Sequence, residues 1–466
     1  MTFSGKQIAV FGLQRSGAAV AKLLDDLGAK VRVTDQKSFQ ELRSTVAALK
    51  NRHIEFILGR HDTRSIEQVD MVVVSPGVPL HIPILKKARS IGIPIVGELE
   101  VAASVCPAPI VAVTGTKGKT TTTVLTASIL QDGNFRNVCV AGNIGIPLSS
   151  KVQSLSSEDL VVVETSSFQL QTTTTFRPMV SVILNLSRDH LDQHASMEAY
   201  RNAKLRICAN QTSEDWIVLN AEAPTLAACA SETQAKPVYF TTESAPAGLG
   251  TFVRNDEVFA HWDGESKRVL TKRDVPLAGN HNLRNVLAAV AVGKILSITS
   301  DQIQSAIRQF SAAEYPVLEH AFEMVNTING VQFINDSKAT NVAAVAAALE
   351  SLSNPILLIM GGYDKGNDYA PLIQPMQAKV KGLILLGSHT QIIRNAFSSQ
   401  VVMWNAATMD EAVKSAHAHA APGDVVLLSP ANASFDMYAD YKERGQAFRE
   451  AVNRLEKAVS KTPFKS

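Results

Sequence analysis

Cysteine is scarce: Cys106, Cys139, Cys208 and Cys229 are the only four in 466 residues. They are too few and too widely spaced for a disulfide framework or a zinc knuckle, so they read as small core residues in a reducing compartment. Long apolar runs are missing as well. Nowhere do about 18 apolar residues follow one another, which leaves no candidate for a membrane-spanning helix, and Thr2 to Val10 shows no signal-peptide pattern. Nor is either charge in surplus: 45 basic and 43 acidic residues give +2, spread along the chain. That excludes a broad electrostatic footprint for nucleic acid or an anionic membrane, and any anion site has to be local. No internal repeat or low-complexity tract is seen. The expectation is a soluble, cytoplasmic protein, a monomer with no nucleic-acid or membrane partner.

What is present is enough apolar material for a large core: 45% of residues are hydrophobic and 19% charged, which excludes disorder. At roughly 150 residues per domain the length predicts about three domains. Short β-branched runs alternate with helical stretches from end to end, the pattern of parallel α/β sheets. A first series has strands at Gln7–Phe11, Lys30–Thr34, Met71–Ser75 and Ile93–Val96, and ends in the linker Cys106-Pro107-Ala108-Pro109. A second runs through Ile110–Val113, Asn137–Ala141, Leu160–Val163, Val180–Leu184 and Trp216–Asn220, then an antiparallel patch over Thr251–Leu270. Helices at Asn280–Ile298 and Asp301–Phe310 close it. A third uses Gln332–Ile334, Ile356–Met360, Leu383–Leu386, Val401–Trp404 and Val425–Leu428.

The strongest chemical signal follows the strand Ile110–Val113. The loop Thr114-Gly115-Thr116-Lys117-Gly118-Lys119-Thr120-Thr121 leads into a helix, so backbone N–H groups and a helix N-terminus face a phosphate. Lys119 can reach its β and γ groups and Thr120 can ligate Mg²⁺. The loop is not a strict Walker motif, since Val113 stands where the first glycine would be. Glu164 ends a buried strand at the carboxyl edge where open sheets collect ligands, and His190 follows another strand end. By itself His190 fits a hydrogen-bonded structural role as well as a metal ligand, and spacing does not single out Lys204 on its helix. The expected architecture is α/β in three domains. A Rossmann-like unit spans residues 1–106, a central P-loop ATPase-type parallel sheet with a small antiparallel patch 107–314, and a second Rossmann-like unit 315–466.

Several further motifs occur in order: Ser75-Pro76-Gly77-Val78-Pro79, Gly142-Asn143-Ile144-Gly145, Glu164-Thr165-Ser166-Ser167-Phe168-Gln169-Leu170, Asp189-His190-Leu191-Asp192, His281-Asn282-Leu283-Arg284-Asn285 and Ile334-Asn335-Asp336-Ser337-Lys338-Ala339-Thr340-Asn341. With the phosphate loop they resemble the Mur ligase family over essentially the whole chain, and within it the branch that adds D-glutamate. The resemblance implies an ADP-forming ligase of peptidoglycan synthesis. ATP activates the carboxylate of UDP-N-acetylmuramoyl-L-alanine as an acyl phosphate, and the amine of D-glutamate attacks it. By the same resemblance, Gly115, Thr116, Lys117, Gly118, Lys119, Thr120, Thr121, Asn282, Asn285, Asp336 and Lys338 bind ATP. Thr120, Glu164, His190 and Lys204 hold Mg²⁺, two ions in all, with Lys204 carbamylated; Lys119, Glu164, His190 and Lys204 are catalytic. Leu13, Arg15, Ser16, Gln36, Ser75, Asn143 and Ser166 meet the UDP substrate, and Thr340, Lys365, Ser434 and Phe435 the D-glutamate.

Three places depart from the family pattern, one of them after the second strand, where Gln36 and Lys37 follow Asp35 and the family presents a threonine and an arginine to uracil. Gln14 replaces the middle glycine in Gly12-Leu13-Gln14-Arg15-Ser16-Gly17, where a side chain would crowd a pyrophosphate. In His320-Ala321, alanine stands where the family has arginine, so that either Arg308 or another cation substitutes or ATP binding is weaker. Two rival readings draw on these features. A nicotinamide oxidoreductase would use the Rossmann-like start but gives the Thr114–Thr121 loop and Glu164 no task. A non-catalytic nucleotide-binding protein would accommodate Gln14 and Ala321 but leaves the clustered Lys119, Glu164, His190 and Lys204 unexplained.

Overall fold

The computed structural model describes residues 1–50, 52–187, 194–277, 279–311, 315, 318–364 and 366–460. The chain divides into two compact units, Met1–Phe310 and Ser311–Ser466. The first unit holds two sheets. One is built from β1 (Gln7–Phe11), β2 (Lys30–Asp35), β3 (Ile54–Leu58), β4 (Met71–Val74) and β5 (Ile95–Gly97), all parallel in the order β3-β2-β1-β4-β5. Helix Arg15–Asp26 follows β1 and buries Val20, Ala21, Leu23 and Leu24, the i, i+3, i+4 spacing of one apolar face.

The other sheet contains β6 (Ile110–Thr114), β7 (Val138–Gly142), β8 (Leu160–Glu164), β9 (Val180–Ile183), β10 (Trp216–Asn220), β11 (Lys236–Phe240), β12 (Gly250–Arg254), β13 (Glu257–Trp262) and β14 (Glu265–Thr271). Its order is β14-β13-β12-β11-β10-β9-β6-β8-β7. Pairing is parallel from β7 to β12 and antiparallel through β13 and β14, so the expected antiparallel patch is the far edge of this sheet. β6 and β8 are buried along their whole length, which is why their sequences are continuous apolar runs rather than alternating ones.

The two sheets of this unit are tied by carboxylates on helix Glu98–Ser104. Glu100 accepts from the N–H and hydroxyl of both Thr174 and Thr175 and from the Phe176 N–H, at 2.6–3.1 Å. Glu98 is 1% exposed and accepts the Ser149 N–H at 2.9 Å. Burial raises the Glu100 carboxyl, but the Thr175 and Thr174 bonds outweigh it and hold the group below the usual range. For Glu98 burial dominates and the carboxyl is pushed up.

The second unit has one sheet: β15 (Glu323–Ile328), β16 (Val331–Asn335), β17 (Ile356–Gly361), β18 (Val380–Leu386), β19 (Met403–Ala406) and β20 (Val425–Ala431), in the order β15-β16-β20-β17-β18-β19. Only β15, at the edge, runs antiparallel. Helix Tyr441–Ser460 lays Phe448, Ala451, Val452 and Leu455 onto this sheet's core. Removing a side chain the size of Phe448 from water is worth about 1.5–3 kcal/mol. Among the described residues no helix is long and apolar enough to cross a membrane.

Candidate active site

The central loop sits between β6, flanked by β9 and β8, and helix Lys119–Leu130, whose first residue is the lysine of the phosphate motif. Gly118 precedes that helix at φ +81°, and a Cβ there would lie 2.2 Å from Asn285 Oδ1. Only glycine lets the loop turn while Asn285 approaches it. Asn285, itself buried, donates to Asn282 Oδ1 at 3.2 Å. The loop is pinned from the end of β9: Asn185 Oδ1 accepts the N–H groups of Thr116 (3.0 Å) and Lys117 (2.8 Å), and its Nδ2 donates to Lys117 O (3.0 Å). Lys119 curls back and donates to the carbonyls of Gly115 (3.0 Å) and Thr116 (2.9 Å). Thr121 is partly buried in the first helical turn.

Glu164 ends β8 beside the loop and is 2% exposed. Its Oε2 accepts the Thr120 hydroxyl at 2.8 Å and its Oε1 accepts Asn143 Nδ2 at 2.8 Å. Arg15 Nη2, from the first sheet's glycine loop, donates to Asn143 O at 3.3 Å, so the two loops meet. Lys204 is also 2% exposed, on helix Met197–Leu205. Its ammonium donates to Gly115 O at 2.8 Å and lies 4.7 Å from the Tyr200 ring centroid, one helical turn away. Two ammonium groups, of Lys119 and Lys204, thus converge on one carbonyl oxygen.

Around the first sheet the other predicted residues separate. Ser75 Oγ donates to Gly12 O at 3.0 Å in a buried contact. Leu13 is wholly buried, with its N–H donating to Asp35 Oδ2 at 2.6 Å, so its side chain belongs to the core. Ser16 is half-buried, while Gln36 and Gln14 are exposed. Gly17 is required, since a Cβ would lie 1.8 Å from Gly12 O, whereas Gln14 has an ordinary φ of −83°. The middle position therefore accepts a side chain that points to solvent. Ser166 caps helix Ser167–Leu170, accepting the Gln169 N–H.

In the second unit the carboxyl ends of the neighbouring strands β16, β20 and β17 bring three loops together. Asp336 accepts from Ser429 Oγ (2.9 Å) and the Phe322 N–H (3.1 Å). Lys338 is half-buried, Thr340 exposed, Ser434 buried and Phe435 65% exposed. Arg308, in the first unit, is paired with Asp274 at 2.7 Å. His190 and Lys365 lie outside the described residues. Among the described residues no group of three or more His, Cys, Asp or Glu is arranged to hold a metal.

Sequence reasoning did not single out Asn185, Tyr200, His194 or Asp35. Tyr200 OH lies 3.2 Å from Thr116 Oγ1. His194 is held by Ser167 (3.0 Å) and Gln171 (3.0 Å) and stacks on Phe168. Of these only Asn185 carried a usable signal, as a polar residue just past a buried strand in a sheet that already bears a phosphate loop.

Three family models match in order along the chain: "Mur ligase MurD-like, N-terminal domain" over residues 6–97, "Mur ligase middle domain" over 113–293, and "Mur ligase, glutamate ligase domain" over 322–432. Among curated proteins, a UDP-N-acetylmuramoylalanine--D-glutamate ligase from Koribacter versatilis is 41% identical over 455 residues, 98% of this chain and 99% of the relative. One of the same name from Geotalea uraniireducens is 42% identical over 456 residues, 98% of this chain and 99% of the relative. Among solved structures, a pseudomurein peptide ligase type C from Methanothermus fervidus superposes with a TM-score of 0.56 at 20% identity, covering 97% of this chain and all of the other, a likeness of fold. A phosphate loop facing a buried carboxylate, three sheets in this order and end-to-end identity above 40% agree, and the chain belongs to the Mur ligase family.

Proposed function

We infer that this chain is an ATP-dependent, ADP-forming ligase that adds D-glutamate to UDP-N-acetylmuramoyl-L-alanine in peptidoglycan precursor synthesis. The observation that carries this reading is the 41–42% identity over 98% of the chain to relatives bearing that name. In the reaction a carboxylate oxygen attacks the γ-phosphorus of ATP and ADP leaves. The D-glutamate nitrogen then attacks the acyl carbon, losing a proton, and phosphate leaves.

The central loop supports the first step. Lys119 and the helix N-terminus behind it supply positive charge to phosphate oxygens in a partly buried setting, where it is screened less than in bulk water. Thr120 Oγ1 and Glu164 Oε2 lie 2.8 Å apart. Two oxygens at right angles on Mg²⁺, each about 2.05 Å from it, are separated by about 2.9 Å, so this donor pair fits that ion. When bound, Mg²⁺ would neutralise phosphate charge. We assign ATP contacts to Gly115–Thr121, Asn282 and Asn285. Carbamylation of the buried Lys204, whose Nζ reaches the loop carbonyl of Gly115, would turn a cation into an oxygen ligand beside the loop, which motivates that assignment and a second Mg²⁺ shared with His190.

Arg15 and Asn143, joined at the meeting of two loops, are proposed to hold the UDP substrate with Ser16, Gln36 and Ser75. Leu13 and Ser166 can take part through backbone groups or by shaping the loops, because the Leu13 side chain is in the core and the Ser166 hydroxyl caps a helix. Asp336, Lys338, Thr340, Lys365, Ser434 and Phe435 are assigned to the second unit's share of nucleotide and amino-acid binding, with the domain limits 1–106, 107–314 and 315–466. Mass spectrometry of the product from an equimolar mixture of D-glutamate, L-alanine and diaminopimelate tests the assignment. A D-glutamyl product alone is expected, and another amino acid in the product would overturn it.

A further inference from the structure

Arg444, near the start of helix Tyr441–Ser460, is 3% exposed, and among the described residues no carboxylate forms an ion pair with it. Its guanidinium instead holds backbone. Nε donates to Ser337 Oγ (3.0 Å), Nη2 to Ser337 O (2.9 Å) and Nη1 to Asn432 O (3.0 Å). The Ser337 hydroxyl in turn donates to Tyr441 O at 2.8 Å. Burial pushes the guanidinium down to about 10, so it remains a cation at neutral pH. Its direct acceptors are neutral oxygens, with the carboxylates of Asp436 and Asp336 acting on it only through their charge, so the burial is costly, and a single loop cap would not call for it. What arginine provides here is reach in two directions from a planar fork.

The two loops it spans are those that follow β16 and β20. Ser337 lies between Asp336 and Lys338 and three residues before Thr340; Asn432 lies two residues before Ser434. Asn432 is fixed on its other side as well, its Oδ1 accepting from Asn367 Nδ2 (2.6 Å) and Tyr369 OH (2.9 Å). Ala431, just before it, is held at φ +62°, a strained conformation that persists only where the surroundings impose it.

We propose that Arg444 is a positioning residue of the amino-acid subsite, setting the spacing between the Asp336–Thr340 and Asn432–Ser434 loops so that Thr340 and Ser434 face one bound D-glutamate. The proposal rests on the assignment of that subsite above. Lysine at this position has one nitrogen and cannot hold both carbonyls in the arginine geometry, and a shift on the order of 1 Å in a substrate-holding loop is enough to cost 10²-fold.

The test is steady-state phosphate release by the full-length Arg444→Lys variant, varying D-glutamate and the UDP substrate separately. We expect the KM for D-glutamate to rise about tenfold or more while that for the UDP substrate, whose assigned contacts lie in the first unit, stays within about twofold. Millimolar guanidinium should partly restore the D-glutamate KM of Arg444→Ala. An unchanged D-glutamate KM, or equal rises for both substrates, would overturn the proposal. Should the Arg444 variants not fold, Ser337→Ala removes one of the three acceptors and must give the same selective rise at smaller size; no rise there overturns it too. Wild-type protein that releases phosphate without any need for D-glutamate would refute the subsite assignment itself, a separate outcome.

Discussion

Asn185 offers the sharpest test of how the phosphate loop is built. One side chain accepts two loop N–H groups and donates to a loop carbonyl, at 2.8–3.0 Å, from the end of a strand rather than from the loop itself. Asn185→Ala removes all three bonds. At about 1 kcal/mol net for each, the loop loses about 3 kcal/mol of ordering free energy. If all of it is expressed in ATP binding, tenfold per 1.4 kcal/mol sets a ceiling of roughly 150-fold on the rise in ATP KM. Partial compensation by water at the half-buried Lys117 lowers that toward about tenfold. Asn185→Asp keeps the two accepted N–H bonds but puts a carboxylate oxygen where Nδ2 donated to Lys117 O, and it adds an anion beside the triphosphate, so it should raise the ATP KM as well. The assay is phosphate release against ATP concentration at saturating other substrates, with Tm recorded for each variant. An ATP KM within twofold of wild type for Asn185→Ala would refute the reasoning.

Three other perturbations follow from the same geometry. Gly118→Ala forces a Cβ to 2.2 Å from Asn285 Oδ1 at φ +81°, so ATP protection against thermal unfolding should be lost, and a retained Tm rise with ATP would contradict this. The Thr126 hydroxyl is buried with no hydrogen-bond partner among the described residues, so Thr126→Val should stabilise the chain by about 1 kcal/mol in denaturant titrations; destabilisation would count against it. Glu98 has a raised carboxyl because it is buried. A raised carboxyl gives its full stability below its unfolded value of about 4.3 and loses it as pH rises through the folded value. Glu98→Gln removes that loss, so the Tm difference, variant minus wild type, should become more positive as pH rises above the ordinary carboxylate range. A pH-independent difference would show that Glu98 does not titrate as described.

Much of the architecture was legible because buried parallel strands are near-continuous apolar runs; β1 and β10 coincide with the expected Gln7–Phe11 and Trp216–Asn220. The strands that escaped notice are β3, β11 and β15. β3 and β15 are edge strands whose residues are largely half-buried and mixed in polarity, and β11 carries Pro237 and is not buried along its whole length. Sequence gave no hint that Glu98 and Glu100 join two sheets, because two acids on one helical turn read as a solvated helix start. The phosphate loop was legible since glycine, lysine and threonine at fixed spacing carry the chemistry themselves. Asn185 and Arg444 were not, because their effect lies in backbone contacts across 68 and 107 residues of chain. Gln14 looked like a departure that crowds a ligand, yet its exposed side chain and ordinary backbone show that only the flanking glycines are sterically demanded.

The measurement that bears most directly on the central claim is phosphate release by the purified chain with ATP and Mg²⁺, leaving out UDP-N-acetylmuramoyl-L-alanine and D-glutamate one at a time. The account predicts release that requires both substrates together. ATP binding without release under any combination would contradict it and favour a nucleotide-binding protein that has lost catalysis.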